Sequence, residues 1–249
     1  MSEWVFGFHA VVGALQHGAA RVELVCIAEG VGGKRVDEVL SLARARRVRF
    51  STVPRRELDR LAAGAAHNGF AARLAPAPLA AVEALLAQPA PVCLLGLDGI
   101  QDPRNLGAVI RVAAAFGVGG VVIAGPHPPP LGGATAKVAA GTLPLVSVAR
   151  VGSLGDLARK AQERGFVVLG ADVGGQPITA VAWPDRLLLC VGGEEGLRAK
   201  TSRFLDGLVA IPMDRRVESL NLAVACGILL WEWRRHWPWG PASACTQTP

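Results

Sequence analysis

Charged residues make up only 18% of this 249-residue chain, against 51% hydrophobic residues. With glycine and alanine abundant, that balance argues against a disordered chain. It leaves room for one large domain or two modest ones. No apolar run approaches the roughly 20 residues needed to cross a bilayer. Met1-Ser2-Glu3-Trp4 leads into a short mixed segment and not a leader-like apolar stretch, so a soluble, cytoplasmic protein is expected. The five cysteines (Cys26, Cys93, Cys190, Cys226, Cys245) include no CxxC pair and have apolar neighbours, which predicts reduced core thiols. The five histidines (His9, His17, His67, His127, His236) lack metal-site spacing, so no metal is expected. P-loop, zinc-ligand and GxSxG patterns are also missing. Gly117-Val118-Gly119-Gly120 precedes a strand where a dinucleotide fingerprint must follow one, which argues against a dehydrogenase.

What charge there is leans positive. The net is +6, from 26 Lys and Arg against 20 Asp and Glu. Residues 1–76 hold 11 cations and 7 anions, so this shorter part carries most of the excess. A polyanionic partner is favoured. The cluster Arg44, Arg46, Arg47, Arg49, Arg55 and Arg56 is either a binding surface or a solvated helix–strand face.

The N-terminal part alternates short units. Helices are predicted over Phe8–Gln16, Val36–Arg46 and Arg55–Ala62, and strands over Val22–Ile27, Val48–Val53 and Gly69–Leu74. Ala75-Pro76-Ala77-Pro78 and Pro89-Ala90-Pro91 suit a linker better than an element interior. A helix between them, over Leu79–Ala87, could pack on either side. From Val92 onward, strand and helix repeat. The strand candidates are Val92–Leu97, Gly120–Ala124, Leu145–Val148, Phe166–Gly170, Leu187–Val191 and Leu208–Ile211. Their runs are continuously apolar, as in a parallel sheet buried on both faces. Helices are predicted over Arg104–Phe116, Leu154–Arg164, Lys200–Leu205 and Leu220–Arg234. The last runs into Trp231, Trp233, Trp237 and Trp239, which predict a packing or dimer face.

Three segments combine polar residues with the strand-to-helix junctions where open α/β sheets collect ligands. Asn105-Leu106-Gly107 opens one helix, whose apolar stripe is Leu106, Ile110, Ala113 and Gly117. Arg104, Ala108 and Arg111 fall on a separate face, by the i, i+4, i+7 rule. Arg111 reads as a solvated or phosphate-binding arginine, or as a catalytic one. Gly192-Gly193-Glu194-Glu195-Gly196 follows a buried strand, where glycines let a ligand approach the backbone. Ile211-Pro212-Met213 ends the last strand. Ser219 then stands where an N-cap belongs, and Asn221 falls in the first turn, free to face a site.

Taken in order, Asp98-Gly99, Asp102-Pro103-Arg104-Asn105-Leu106-Gly107 with Arg111, the Gly-Glu loop, and Ile-Pro-Met with Ser-Leu-Asn resemble the three motifs of the SpoU (TrmH-type) branch of the SPOUT methyltransferases. The resemblance covers about residues 92–236. Gly7-Phe8-His9-Ala10-Val11 and His67-Asn68-Gly69 are similar to the small RNA-binding domain that precedes many rRNA ribose methyltransferases. The chain departs from the family pattern in a Glu loop one residue shorter, which leaves Glu194 or Glu195 for the glutamate role, and in Ala223 where a second small hydroxyl is usual.

The resemblance implies an α/β fold with a parallel sheet and a C-terminal trefoil knot (residues 92–240). A small α/β RNA-binding domain (1–78) and a linker (79–91) precede it, and a tail (241–249) follows. It implies S-adenosylmethionine as cofactor and a homodimer. Gly192, Gly193, Ile211, Met213 and Leu220 would line the cofactor pocket. Asn105, Arg111, Glu194, Ser219 and Asn221 would form the catalytic group. Arg111 would act either as the base or as an anchor for the target phosphate and the developing alkoxide. The implied reaction is methylation of a ribose 2′-OH in RNA, with 23S rRNA and guanosine favoured. A tRNA substrate, or a catalytically silent RNA-binding protein on the same fold, are the alternatives.

Overall fold

The computed structural model describes residues 3–17, 21–75, 78–214 and 216–239. In chain order the elements are β1 (Glu3–Phe6), α1 (Phe8–His17), β2 (Val22–Ala28), α2 (Lys34–Ala45), β3 (Phe50–Val53), α3 (Arg55–Ala62), β4 (Phe70–Leu74), α4 (Val82–Leu86), β5 (Val92–Asp98) and α5 (Pro103–Ala115). They continue as β6 (Gly120–Ala124), α6 (Ala134–Ala139), β7 (Val148–Val151), α7 (Leu154–Gln162), β8 (Val167–Pro177), β9 (Arg186–Gly192), α8 (Ala199–Ser202), β10 (Gly207–Ala210) and α9 (Leu222–His236). The described residues fall into two compact units. The first combines those up to 79 with 102–114 and 129–147, and the second holds the remainder.

The first unit contains a four-stranded sheet in the order β1-β4-β2-β3, with β2 and β3 parallel and the other pairs antiparallel. Alternation along the strands sends successive side chains to opposite faces. Cys26, Ala28 and Ala71 pack with Leu58 of α3, while Phe70 meets Phe8 of α1 edge to face at 5.6 Å. Between α3 and β4, buried His67 accepts the Gly69 amide at Nδ1 (3.1 Å) and donates from Nε2 to Asp59 (2.8 Å), which fixes the turn. In the same unit, Gly107 of α5 lies against α6. A Cβ there would stand 2.5 Å from the Thr135 carbonyl, so the third residue of the Asn-Leu-Gly segment is a packing glycine.

The second unit is built on a six-stranded sheet, β10-β8-β9-β5-β6-β7, with parallel pairing throughout. Every residue of β5 and of β6 is buried, as the continuous apolar runs predict. On one face Leu94, Val122, Ala149, Val168, Leu188 and Cys190 pack against Leu154, Leu157, Ala158 and Ala161 of α7. Leu85 and Leu86 join the same core, so α4 packs with the second sheet, resolving which side it takes. Truncating a buried leucine such as Leu157 to alanine costs about 2–5 kcal/mol. Arg234 of α9 donates to the carbonyls of Phe116 (2.6 and 3.0 Å) and Gly117 (2.8 Å), tying the last helix to the turn before β6.

Four sequence expectations shift. Leu145–Val148 is not a strand: Leu143–Leu145 forms a 3-10 turn that Pro144, lacking an amide donor, initiates, and pairing starts at Val148. β1 and α6 were not anticipated, because each is too short to show a period. The helix expected over Lys200–Leu205 is the single turn of α8. β8 runs on past Gly170 to Pro177, and its pairing with β10, made first at Leu169 and Gly170, resumes at Gln176 and Pro177 after a register shift. Cys26, Cys93, Cys190 and Cys226 are free and buried, and burial pushes all four thiols up, Cys226 to about 12. Cys245 and the tail lie outside the described residues. Among the described residues no helix is long and apolar enough to cross a membrane, and no group of side chains could hold a metal ion.

Candidate active site

The carboxyl end of the second sheet is levelled by its register. Asp98, the last residue of β5, pairs with Gly192 of β9 on one side and Ala124 of β6 on the other. The Gly193 amide donates to the Asp98 carbonyl at 2.8 Å, and the Gly196 amide donates to the Gly193 carbonyl at 3.0 Å. The second bond closes a four-residue turn over 193–196, so the shortened loop is a tight turn with Glu194 and Glu195 at its two corners, both exposed. A Cβ on Gly192 would overlap the carbonyl of Gly196. Nothing but glycine fits that position.

Asp98 is 1% exposed, which for a carboxylate demands partners. One carboxylate oxygen accepts the Thr201 hydroxyl at 2.6 Å and the Arg198 amide at 3.0 Å; the other faces Arg198 Nε at 3.7 Å. The aspartate thus anchors the chain beyond the glycine turn to the end of β5. The Arg198 guanidinium lies over Gly99 and Gly125, each of which would place a Cβ 3.1–3.3 Å from Nη2. Thr201 and Arg198 were missed in the sequence. The available signal was a carboxylate closing a run of seven buried residues.

The third segment leaves β10 at Ala210. Ile211, Met213 and Leu220 are half-buried, whereas Ser219 is exposed. Asn221, and not Ser219, caps α9: its side-chain oxygen accepts the Ala223 amide at 2.9 Å, and the helix begins at Leu222. The helix start is thus two residues later than expected, because Asn in extended backbone competes well for the cap. The exposed pair Asp214–Arg216 fixes the bend before it. Hydrogen bonds from the Arg216 side chain and backbone hold the Asp214 carboxyl down at about 2. Because β9 and β10 are parallel members of one sheet, the glycine turn and this segment emerge at the same end.

Asn105 and Arg111 lie on α5, in the first unit. Asp102 caps this helix. Its carboxylate accepts the Arg104 amide at 2.8 Å and its carbonyl accepts the Leu106 amide at 3.1 Å, with Pro103 in the first helical position. Asn105 is therefore in the first turn and half-buried, not at the cap. Arg111 is exposed, on the helix face opposite buried Leu106, Ile110 and Ala113.

The model of the SpoU rRNA Methylase family matches residues 93–231, which spans all three segments. The chain belongs to this family. The model for RNA 2′-O ribose methyltransferase substrate binding matches residues 4–80. Similar proteins include the 23S rRNA (guanosine-2′-O-)-methyltransferases RlmB of Pseudomonas putida (35% identical over 236 residues, covering 92% of this chain and 95% of that protein) and Vibrio cholerae (36% over 236 residues, 93% and 96%). The fold is that of the SpoU methyltransferase AviRb from Streptomyces viridochromogenes, solved in complex with AdoMet, at a TM-score of 0.79 and 22% identity. That likeness covers 95% of this chain and 90% of the other.

Proposed function

We propose that this SpoU family member methylates the ribose 2′-OH of a guanosine in 23S rRNA, using S-adenosylmethionine. The observation that carries the reading is the glycine turn clamped by Asp98 at the carboxyl end of a parallel sheet, in a chain 35% identical to a named 23S rRNA guanosine methyltransferase.

The residues at that edge suit the cofactor. Gly192 and Gly193 offer backbone without side chains, and Ile211, Met213 and Leu220 offer half-buried apolar surface for a base. When bound, S-adenosylmethionine supplies a methyl group on a positively charged sulfur. The protein's task is to hold a weak nucleophile in line, and alignment can supply up to roughly 7–11 kcal/mol of barrier. Asn105, Glu194, Ser219 and Asn221 orient the ribose. Arg111 grips the target phosphate and steadies the charge growing on the ribose oxygen, whose proton passes to solvent water as the O–CH3 bond forms, the S–CH3 bond breaks and S-adenosylhomocysteine leaves. That role suits a guanidinium better than proton abstraction, because its pKa above about 12 resists deprotonation.

The same reading assigns 1–78 to RNA substrate binding, 79–91 to a linker, 92–240 to the methyltransferase domain and 241–249 to a tail. It includes a trefoil knot, which the family resemblance implies. It includes a cytoplasmic location, and a homodimer for which Val224 (50% exposed) and Trp231 (53%), seven residues apart on one face of α9, offer an apolar contact surface.

The test is transfer of labelled methyl from S-adenosylmethionine to 23S rRNA transcripts, with 2′-O-methyl mapping of rRNA from cells with and without the protein. One guanosine is expected to carry the label. Label in tRNA alone would move the substrate, and RNA binding without label would leave a silent RNA-binding protein.

A further inference from the structure

The arginine cluster of the first unit has an aromatic at its centre. From Val39 to Arg56 the chain carries six arginines and no acidic residue. Arg44, Arg46, Arg47, Arg49, Arg55 and Arg56 are all exposed, and none forms an ion pair among the described residues. In their midst Phe50 opens β3, the edge strand of the four-stranded sheet, and is 41% exposed. The Arg44 guanidinium sits 5.6 Å from the centre of its ring.

At 41% exposed, the Phe50 ring keeps part of its surface open to solvent among the arginines. The local backbone fixes the arrangement. α2 ends with the Arg47 amide bonded to the Arg44 carbonyl (3.0 Å) and the Val48 amide to the Ala43 carbonyl (2.8 Å). Arg47 takes a left-handed conformation (φ 56°) that this termination usually gives to glycine. Val48, buried, then pins the chain, and the Arg49 carbonyl accepts the Val25 amide at 2.9 Å. The arginines and the ring are therefore held on ordered backbone.

We propose that Phe50 is a stacking platform for one unpaired RNA base, with the surrounding arginines holding the phosphates on either side. Single-stranded nucleic acid is recognised by this pairing of a cationic track with an aromatic face. Paired A-form bases are stacked within their helix and leave no such face to a side chain. The ligand is thus a loop, bulge or single-stranded stretch of the substrate RNA. The inference rests on the RNA-methyltransferase reading and extends it to a residue outside the methyltransferase domain.

The test compares the full chain with Phe50→Ala and Phe50→Trp, using fluorescein-labelled RNA hairpins with a single-stranded loop and blunt duplexes of the same length. Phe50→Ala is expected to weaken hairpin binding about 5- to 100-fold, with unchanged duplex binding and an unchanged slope of log affinity against log salt. Phe50→Trp should bind the hairpin at least as tightly as the parent. Arg46→Ala should instead lower the salt slope on both probes, by roughly 0.7–0.9. Hairpin binding by Phe50→Ala within twofold of the parent, with its circular dichroism unchanged, would overturn the stacking role. Methyl transfer by the parent to 23S rRNA is measured alongside: its loss bears on the proposed function, and the hairpin comparison bears on Phe50 alone.

Discussion

The hydroxyl of Thr201 donates to the buried carboxylate of Asp98 across 2.6 Å, joining residues 103 positions apart in the chain. Thr201 is itself 2% exposed. A hydrogen bond to a buried charge is among the stronger kinds, and leaving the charge short of a donor is costly. Thr201→Val is expected to lose about 1–3 kcal/mol in denaturant unfolding, with Thr201→Ser restoring most of it. Cofactor affinity by calorimetry should fall in the same order, because the clamp sets the glycine turn. A valine variant as stable as the parent would remove Asp98 from its anchoring role.

Gly192 allows no side chain, since its Cβ would overlap the Gly196 carbonyl. Gly192→Ala should therefore abolish measurable S-adenosylmethionine binding. Gly152, in open space with ordinary backbone, is the control. Gly152→Ala should stay within about 0.5 kcal/mol of the parent. Equal cofactor binding by both variants would detach the turn from the pocket.

Arg111 is exposed and makes no ion pair among the described residues, so its removal costs the fold little. Arg111→Ala should retain the parent melting temperature and cofactor affinity while methyl transfer falls by two orders of magnitude or more. Arg111→Lys keeps the charge but not the planar fork, and should recover only part of the rate. Near-normal turnover in the alanine variant would end the assignment.

Arg47 adopts the left-handed conformation at the end of α2. Arg47→Gly should stabilise the protein by about 1 kcal/mol, a rise of roughly 2–4 °C in melting temperature. RNA affinity should drop, with a shallower salt dependence. A stabilised variant with unchanged RNA binding would make Arg47 irrelevant to the ligand.

The Asp214 carboxyl is held below its ordinary value of 3.8, to about 2, by Arg216. A depressed carboxylate contributes stability above its unfolded pKa, and loses it as pH falls through the folded one. The contribution is therefore complete above about pH 4 and gone near pH 2. Carboxyl NMR titration of Arg216→Ala should return Asp214 to the ordinary range, with only a small fall in melting temperature at neutral pH, because solvent screens the exposed pair and discounts its contribution. An unchanged titration would assign the shift elsewhere.

The strands of the second sheet were legible because burial on both faces demands unbroken apolar runs. Gly120–Ala124 was located to the residue on that ground. Arg55–Ala62 was equally clear from its period of 3.6. Elements of fewer than two full turns or only four residues, such as α6 and β1, gave no such signal. The caps were misplaced for a different reason. Ser219, Asn221, Asp102 and Asn105 are all chemically able to cap, and only backbone geometry selects among them. That selection gave the α9 cap to Asn221 and the α5 cap to Asp102.

By itself the sequence determined the α/β class, the parallel sheet and the three polar segments in family order, because hydrophobic periodicity and motif spacing are local properties. The tertiary structure alone decided that Asp98 is a buried anchor, that Thr201 and Arg198 complete it, and that the short Glu loop is a closed turn. Those facts depend on which distant backbone and side-chain atoms are excluded from water together, and a linear pattern does not encode that.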